Sequence, residues 1–188
     1  MSISRQAALS ALDRLARRLA ERGVGGHVHI VGGAAMMLRF GTRTITEDVD
    51  AFFAPAAVVR EVADELADDL GLEHGWLNNA AQAFAPLFGE QAQWEPVLSA
   101  GDFEVAIADA HCLLAMKIRA SRPGRDDADL AQLLAACGVT SLHEAVALYD
   151  AYYPDDRLPA RATALLEGLL GGARPAPFMD GRDQSPAE

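Results

Sequence analysis

Apolar residues at Ala8, Leu9, Leu12, Leu15, Ala16 and Leu19 recur every three to four positions, and Gly23 interrupts them. That spacing predicts a helix over residues 3–22 with one buried face. The run 27–31 reads as a strand, and Gly33 to about Phe40 as a short helix. Gly41–Thr46 is a polar connector, and Val49–Phe53 a second strand. Pro55 suits the first position of a helix, and Val58, Val59, Val62, Leu66 and Leu70 carry that helix to Gly71. Residues 72–92 are apolar but irregular, and a loop with short turns is expected there. Trp94–Ser99 and Phe103–Ala108 flank Gly101-Asp102 as the two arms of a hairpin. Helical spacing then covers 109–121, 125–137, 141–152 and 158–170. The expected class is α+β, a small mixed sheet with packed helices and a helical C-terminal part.

The stretch from Val31 to Phe53 carries the candidate chemistry. Gly32-Gly33 stands between a strand and a helix. Such a pair lets backbone approach a ligand closely, with N–H groups aimed at a phosphate. Asp48 and Asp50 flank Val49 at the start of the next strand. On a strand, residues i and i+2 share a face, so the carboxylates lie side by side. They repel unless a cation sits between them, and a hard ion such as Mg²⁺ prefers oxygen ligands. A phosphate cradle beside metal-binding carboxylates is what transfer from a nucleotide requires.

This arrangement resembles the nucleotidyltransferase superfamily with the polymerase-beta-like fold. The family's Gly-Gly or Gly-Ser at a helix start, then Asp-x-Asp on the next strand, is matched by Gly32, Gly33, Asp48 and Asp50. A second block, LLAMKIRASRPGRDDADLAQLL, looks like short bacterial members similar to AbiEii-type toxins. Lys117, Arg122, Arg125, Asp126, Asp129 and Leu130 carry that likeness, which spans roughly residues 25 to 137. The resemblance implies a Mg²⁺-dependent transfer of a nucleoside monophosphate from an NTP to a hydroxyl of an RNA end or a protein. It also implies a cognate antitoxin as partner. Asp48 and Asp50 would bind the metal. Gly32, Gly33, Arg43 and Arg122 would hold the nucleotide, and Lys117 would offset charge. Members of this superfamily usually add a third carboxylate from a neighbouring strand. Glu104 in DFEVAIAD is the candidate catalytic and metal ligand, with Asp102 as the alternative.

The other readings are also open. Lys117 could be a solvated helix residue, and Arg39, Arg43 and Thr44 part of a solvated loop. Asp126 and Asp129 are expected to cap the next helix and pair with Arg122 or Arg125. His27, His29 and His111 are expected to be structural. The rival functions are a catalytically inactive binding or regulatory member of the same fold, and a plain helical interaction protein.

Composition narrows the field. The 188 residues carry a formal charge of −11, with 51% hydrophobic residues. A globally basic nucleic-acid binder is excluded, although a local basic cleft is not. Lys117 is the sole lysine among 16 basic residues, a ratio that reads as coding bias. Cys112 and Cys137 make no disulfide framework and are expected as buried thiols. The N-terminus lacks an uninterrupted apolar run, and no stretch reaches transmembrane length, so the chain reads as cytoplasmic. Residues 1–137 are expected as the nucleotidyltransferase-like core with its N-terminal helix, and 138–170 as C-terminal helices of the same domain. Residues 171–188, rich in Gly, Pro and charge, are expected as a disordered tail.

Overall fold

The computed structural model describes residues 2–41 and 43–171. The elements in chain order are β1 (Ile3–Ser4), α1 (Arg5–Glu21), β2 (Gly26–Ile30), α2 (Gly32–Phe40), β3 (Ile45–Thr46), β4 (Val49–Ala54) and α3 (Ala56–Leu70). They continue with β5 (Leu77–Asn78), a short 3-10 helix (Ala80–Phe84), β6 (Trp94–Ala100), β7 (Phe103–Ala108), α4 (Ala110–Ala120), α5 (Asp127–Ala136), α6 (Leu142–Tyr152) and α7 (Ala160–Gly171). This is the α+β class with a small mixed sheet.

Five strands form the main sheet in the order β5-β4-β2-β7-β6. β2 runs antiparallel to β4 and parallel to β7, and β6 and β7 form the expected hairpin. Register decides the faces. Val28 and Ile30 pair with Phe53 and Ala51 on one side and with Val105 and Ile107 on the other. All six are buried, and they present one continuous apolar face. α1 packs against β6, β7 and α3 on that face, burying Leu12, Leu15 and Leu19 completely. Each such leucine contributes about 1.5–3 kcal/mol of burial. The opposite face carries Asp50, Phe52, His27, His29 and Glu104. There His29 stacks between His27 and Trp94, with ring centroids 4.1 Å apart on each side.

The sequence pattern missed three short pieces. Ile3–Ser4 is not helical but pairs antiparallel with Ile45–Thr46, inside the stretch read as connector. Within 72–92, Leu77–Asn78 adds a parallel edge strand to β4. Trp76 fixes it there: its indole Nε1 donates to the Ala63 carbonyl at 2.9 Å, and its own carbonyl accepts from Val49 N at 2.6 Å. The 3-10 helix follows directly. Pro55 is the N-cap of α3 rather than its first residue. Of the tail expected over 171–188, Gly171 is the last residue of α7, and 172–188 lie outside the described residues.

α4 starts on Asp109, whose Oδ1 accepts from His111 N and Cys112 N. That cap aims one face of the helix, Leu113, Met116, Lys117 and Ala120 at i, i+3, i+4 and i+7, into a cavity at the sheet's edge. No helix among the described residues is long and apolar enough to cross a membrane.

Candidate active site

The cavity has a volume of about 380 Å³, within the range of small-molecule sites. Gly32, Gly33, Arg43, Asp48, Asp50, Lys117 and Arg122 all line it. Backbone pairing brings the glycine pair and the Asp-x-Asp segment together: Val31 N donates to the Asp50 carbonyl at 2.9 Å, one residue before the glycines. Gly32 has φ +64°, and a Cβ placed on it would stand 3.0 Å from Asp50 Oδ2. The first glycine thus gives the carboxylate its room, and its backbone is one L-residues rarely adopt. Gly33 is less crowded. Its hypothetical Cβ would meet Thr46 Oγ1 at 3.3 Å and Arg43 Nη1 at 3.9 Å.

Gly32→Ala is therefore expected to cost about 1–2 kcal/mol of stability through backbone strain. It should also displace the Asp50 carboxylate. Thermal melts and Mg²⁺-dependent nucleotide binding read the two effects, and Gly33→Ala should be milder in both.

Asp50 is the second residue of β4, and Asp48 lies just ahead of the strand. Asn78 Nδ2 donates to Asp48 Oδ2 at 2.8 Å. Burial raises the Asp50 pKa above the ordinary carboxylate value, and the charge of Asp48 pushes the same way. Arg122 and Lys117 oppose them. Nearby like charge on a half-buried carboxylate is the signature of a place where a cation is favoured. Mg²⁺ characteristically takes one or two protein carboxylates, with substrate phosphates and waters completing its shell. The donor set of Asp48 and Asp50 fits that chemistry.

The second block forms a buried ionic network. Lys117 is 6% exposed, and its Nζ lies 2.7 Å from Asp126 Oδ1 and 2.8 Å from Asp129 Oδ2. Arg43 grips Asp129 with Nε at 3.0 Å and Nη2 at 2.6 Å. Arg122 grips Asp126 with Nε at 2.9 Å and Nη2 at 3.2 Å, and its backbone N–H adds a third bond at 3.0 Å. The alternative of a solvated helix residue does not hold for Lys117, because two aspartates from α5 and its N-terminal turn enclose it at the cavity wall. Asp126 makes no side-chain cap, and Arg125 pairs with Glu47 rather than with either aspartate. Arg43, Lys117, Arg122 and Arg125 line the cavity with Glu47, Asp48 and Asp50, while Asp126 and Asp129 are buried behind it as the partners of Lys117, Arg43 and Arg122.

Burial alone would raise the Asp126 pKa, but hydrogen bonds from Arg122 and Lys117 bring it down to about 2 from an ordinary 3.8. Its folded pKa lies below its unfolded one, so the stabilisation is full above about pH 4 and is lost as pH falls toward 2. It amounts to roughly 2 kcal/mol. Urea unfolding between pH 7 and 2 should show this limb, and Asp126→Asn should flatten it.

Glu104 is placed elsewhere. It pairs with His27 on β2, four residues from the level of Asp50, about 13 Å along the strand. Its side chain is 50% exposed and lies 3.2 Å from His29 Nε2. Continuing the register, the β7 residue level with Asp50 is Ala108. Alternation placed Glu104 on the right face but not at the right height. Asp102 lies in the hairpin turn, where its carbonyl accepts from Gly26 N. Among the described residues no group of three His, Cys, Asp or Glu side chains is arranged to hold a metal ion. Arg39 also points away, pairing with Glu95. Sequence reasoning overlooked Asn78, Thr46, Ala81 and Phe84, which sit in the stretches that showed no periodicity.

A family model described as "Nucleotidyltransferase of unknown function (DUF6036)" matches residues 7–153. The searches of curated proteins and of solved structures found no match.

Proposed function

We propose, for a chain that belongs to this nucleotidyltransferase family, a Mg²⁺-dependent transfer of a nucleoside monophosphate from an NTP to a hydroxyl acceptor. The observation that supports the reading most is the meeting of Gly32 and Asp50, glycine backbone against carboxylate, on one cavity with Asp48. Backbone N–H groups at the start of α2 would take phosphate oxygens, where the helix dipole favours negative charge. When bound, Mg²⁺ supplies Lewis-acid polarisation of the phosphoryl oxygens and screens the attacking and leaving groups. Asp48 and Asp50 would hold it. Arg122, half-exposed on the cavity wall, and Arg43, beside Gly33, would bind phosphate oxygens and offset their charge. Lys117 would act through the network, its ammonium held by two aspartates while its field reaches Asp50. The acceptor hydroxyl oxygen would bond to the α-phosphorus and give up its proton to solvent as the bond from the α-phosphorus to pyrophosphate breaks.

The acceptor in this reading is an RNA end or a protein side chain, and a toxin–antitoxin setting with a cognate antitoxin is part of the proposal. Incubation with Mg²⁺, α-labelled NTPs and RNA or protein acceptors tests it. Label should move in the wild type and not after Asp50→Asn. One observation favours a second reading, a binding or regulatory protein without transfer: Ala108 stands level with Asp50 on β7, and Glu104 lies away from the cavity. Mg²⁺-dependent NTP binding with no transfer to any acceptor would select it.

A further inference from the structure

Four large apolar side chains are exposed among the described residues: Ile45, Phe84, Leu87 and Phe88. Two of them, Ile45 and Phe84, line the cavity that holds the carboxylates and cations. Single exposed apolar residues need no explanation, but two on the lining of one charged cavity do. Phe84 is 36% exposed although its segment is tied down at both ends. At the start of the 3-10 helix, Asn78 Oδ1 accepts from Ala80 N at 2.9 Å while the same side chain donates to Asp48. At the far end, Tyr153 Oη donates to the Phe84 carbonyl. The backbone leading to and from Phe84 is therefore anchored beside Asp48, and 36% of the residue stays open to solvent.

We propose that Phe84 is the platform on which the base of the bound nucleoside triphosphate stacks, with Ile45 completing an apolar clamp. This rests on the nucleotide reading of the cavity and names how the nucleoside end is chosen. The small side chains of Ala80 and Ala81 line the same cavity. The charged rim residues Glu47 and Arg125 lie 3.7 Å from each other and are paired. Recognition then comes from the π-face, which every base has, rather than from hydrogen bonds to base edges. The clamp favours purines over pyrimidines by stacking area and separates adenine from guanine weakly.

Titrations of the full chain with ATP, CTP and inorganic tripolyphosphate, each with Mg²⁺, test this. Wild type should bind ATP more tightly than CTP, and both more tightly than tripolyphosphate. Phe84→Ala should weaken ATP roughly 5- to 100-fold and leave tripolyphosphate unchanged. Phe84→Trp should restore ATP binding, which a simple loss of folding would not allow. Unchanged ATP affinity in Phe84→Ala, or equal loss for ATP and tripolyphosphate, overturns the platform and leaves the phosphate site standing. A wild type that binds neither ligand overturns the nucleotide reading and the platform together.

Discussion

Asp50→Asn is expected to lower nucleotidyl transfer by about a thousandfold or more while leaving the fold in place. The amide keeps the shape of the carboxylate but removes the charge that would hold Mg²⁺. Losing a metal ligand at a developing phosphoryl charge costs several kcal/mol in the transition state, and about 4 kcal/mol is a thousandfold. Without metal the same change should raise the melting temperature. Asp50 sits half-buried against Gly32 with its pKa raised by burial and by Asp48, so its charge is unfavourable without a cation beside it. Asp48→Asn should behave alike in activity, since the amide oxygen can still accept from Asn78. Label transfer and thermal melts with and without Mg²⁺ measure both. A variant with undiminished transfer would remove that residue from metal binding.

Lys117→Ala is expected to be among the most destabilising single changes in the chain, at about 3–5 kcal/mol. The ammonium is enclosed by Asp126 and Asp129, which are 0% and 1% exposed. Removing it leaves two carboxylates buried with only Arg43 and Arg122 to balance them. Lys117→Arg should not rescue fully, because a planar fork does not fill the place of a compact point charge. Urea unfolding reads the loss. The sole lysine also gives a chemical test. An amine reagent should label Lys117 slowly, with or without nucleotide. A stability change under about 0.5 kcal/mol with rapid labelling would mean that Lys117 is solvated.

Long periodic segments announced themselves in the sequence because a helix or strand with one buried face repeats its apolar residues. α1, α3, the β6–β7 hairpin and the C-terminal helices were legible within one or two residues for that reason. A two-residue strand has no period to read. β1, β3 and β5 exist only because a distant partner or one anchored side chain, Trp76, holds them. Glu104 shows a related limit. Alternation along β7 fixes which face a side chain takes, but its height beside Asp50 depends on the register with β2. The charged residues of the second block were visible as charges. Their convergence was not, since Arg43 arrives from a loop more than eighty residues before Asp129. Asn78, which links Asp48 to the 3-10 helix, was hidden in the least periodic stretch.

The decisive experiment is a structure of the full chain with Mg²⁺ and a non-hydrolysable NTP. A metal ion is expected about 2.1 Å from oxygens of Asp48 and Asp50. Triphosphate oxygens are expected on the backbone N–H groups at Gly32 and Gly33, with the base against Phe84. A nucleotide bound away from the Gly32–Asp50 cavity, or bound there with no metal on either aspartate, would mean that these residues do not form a metal–nucleotide site.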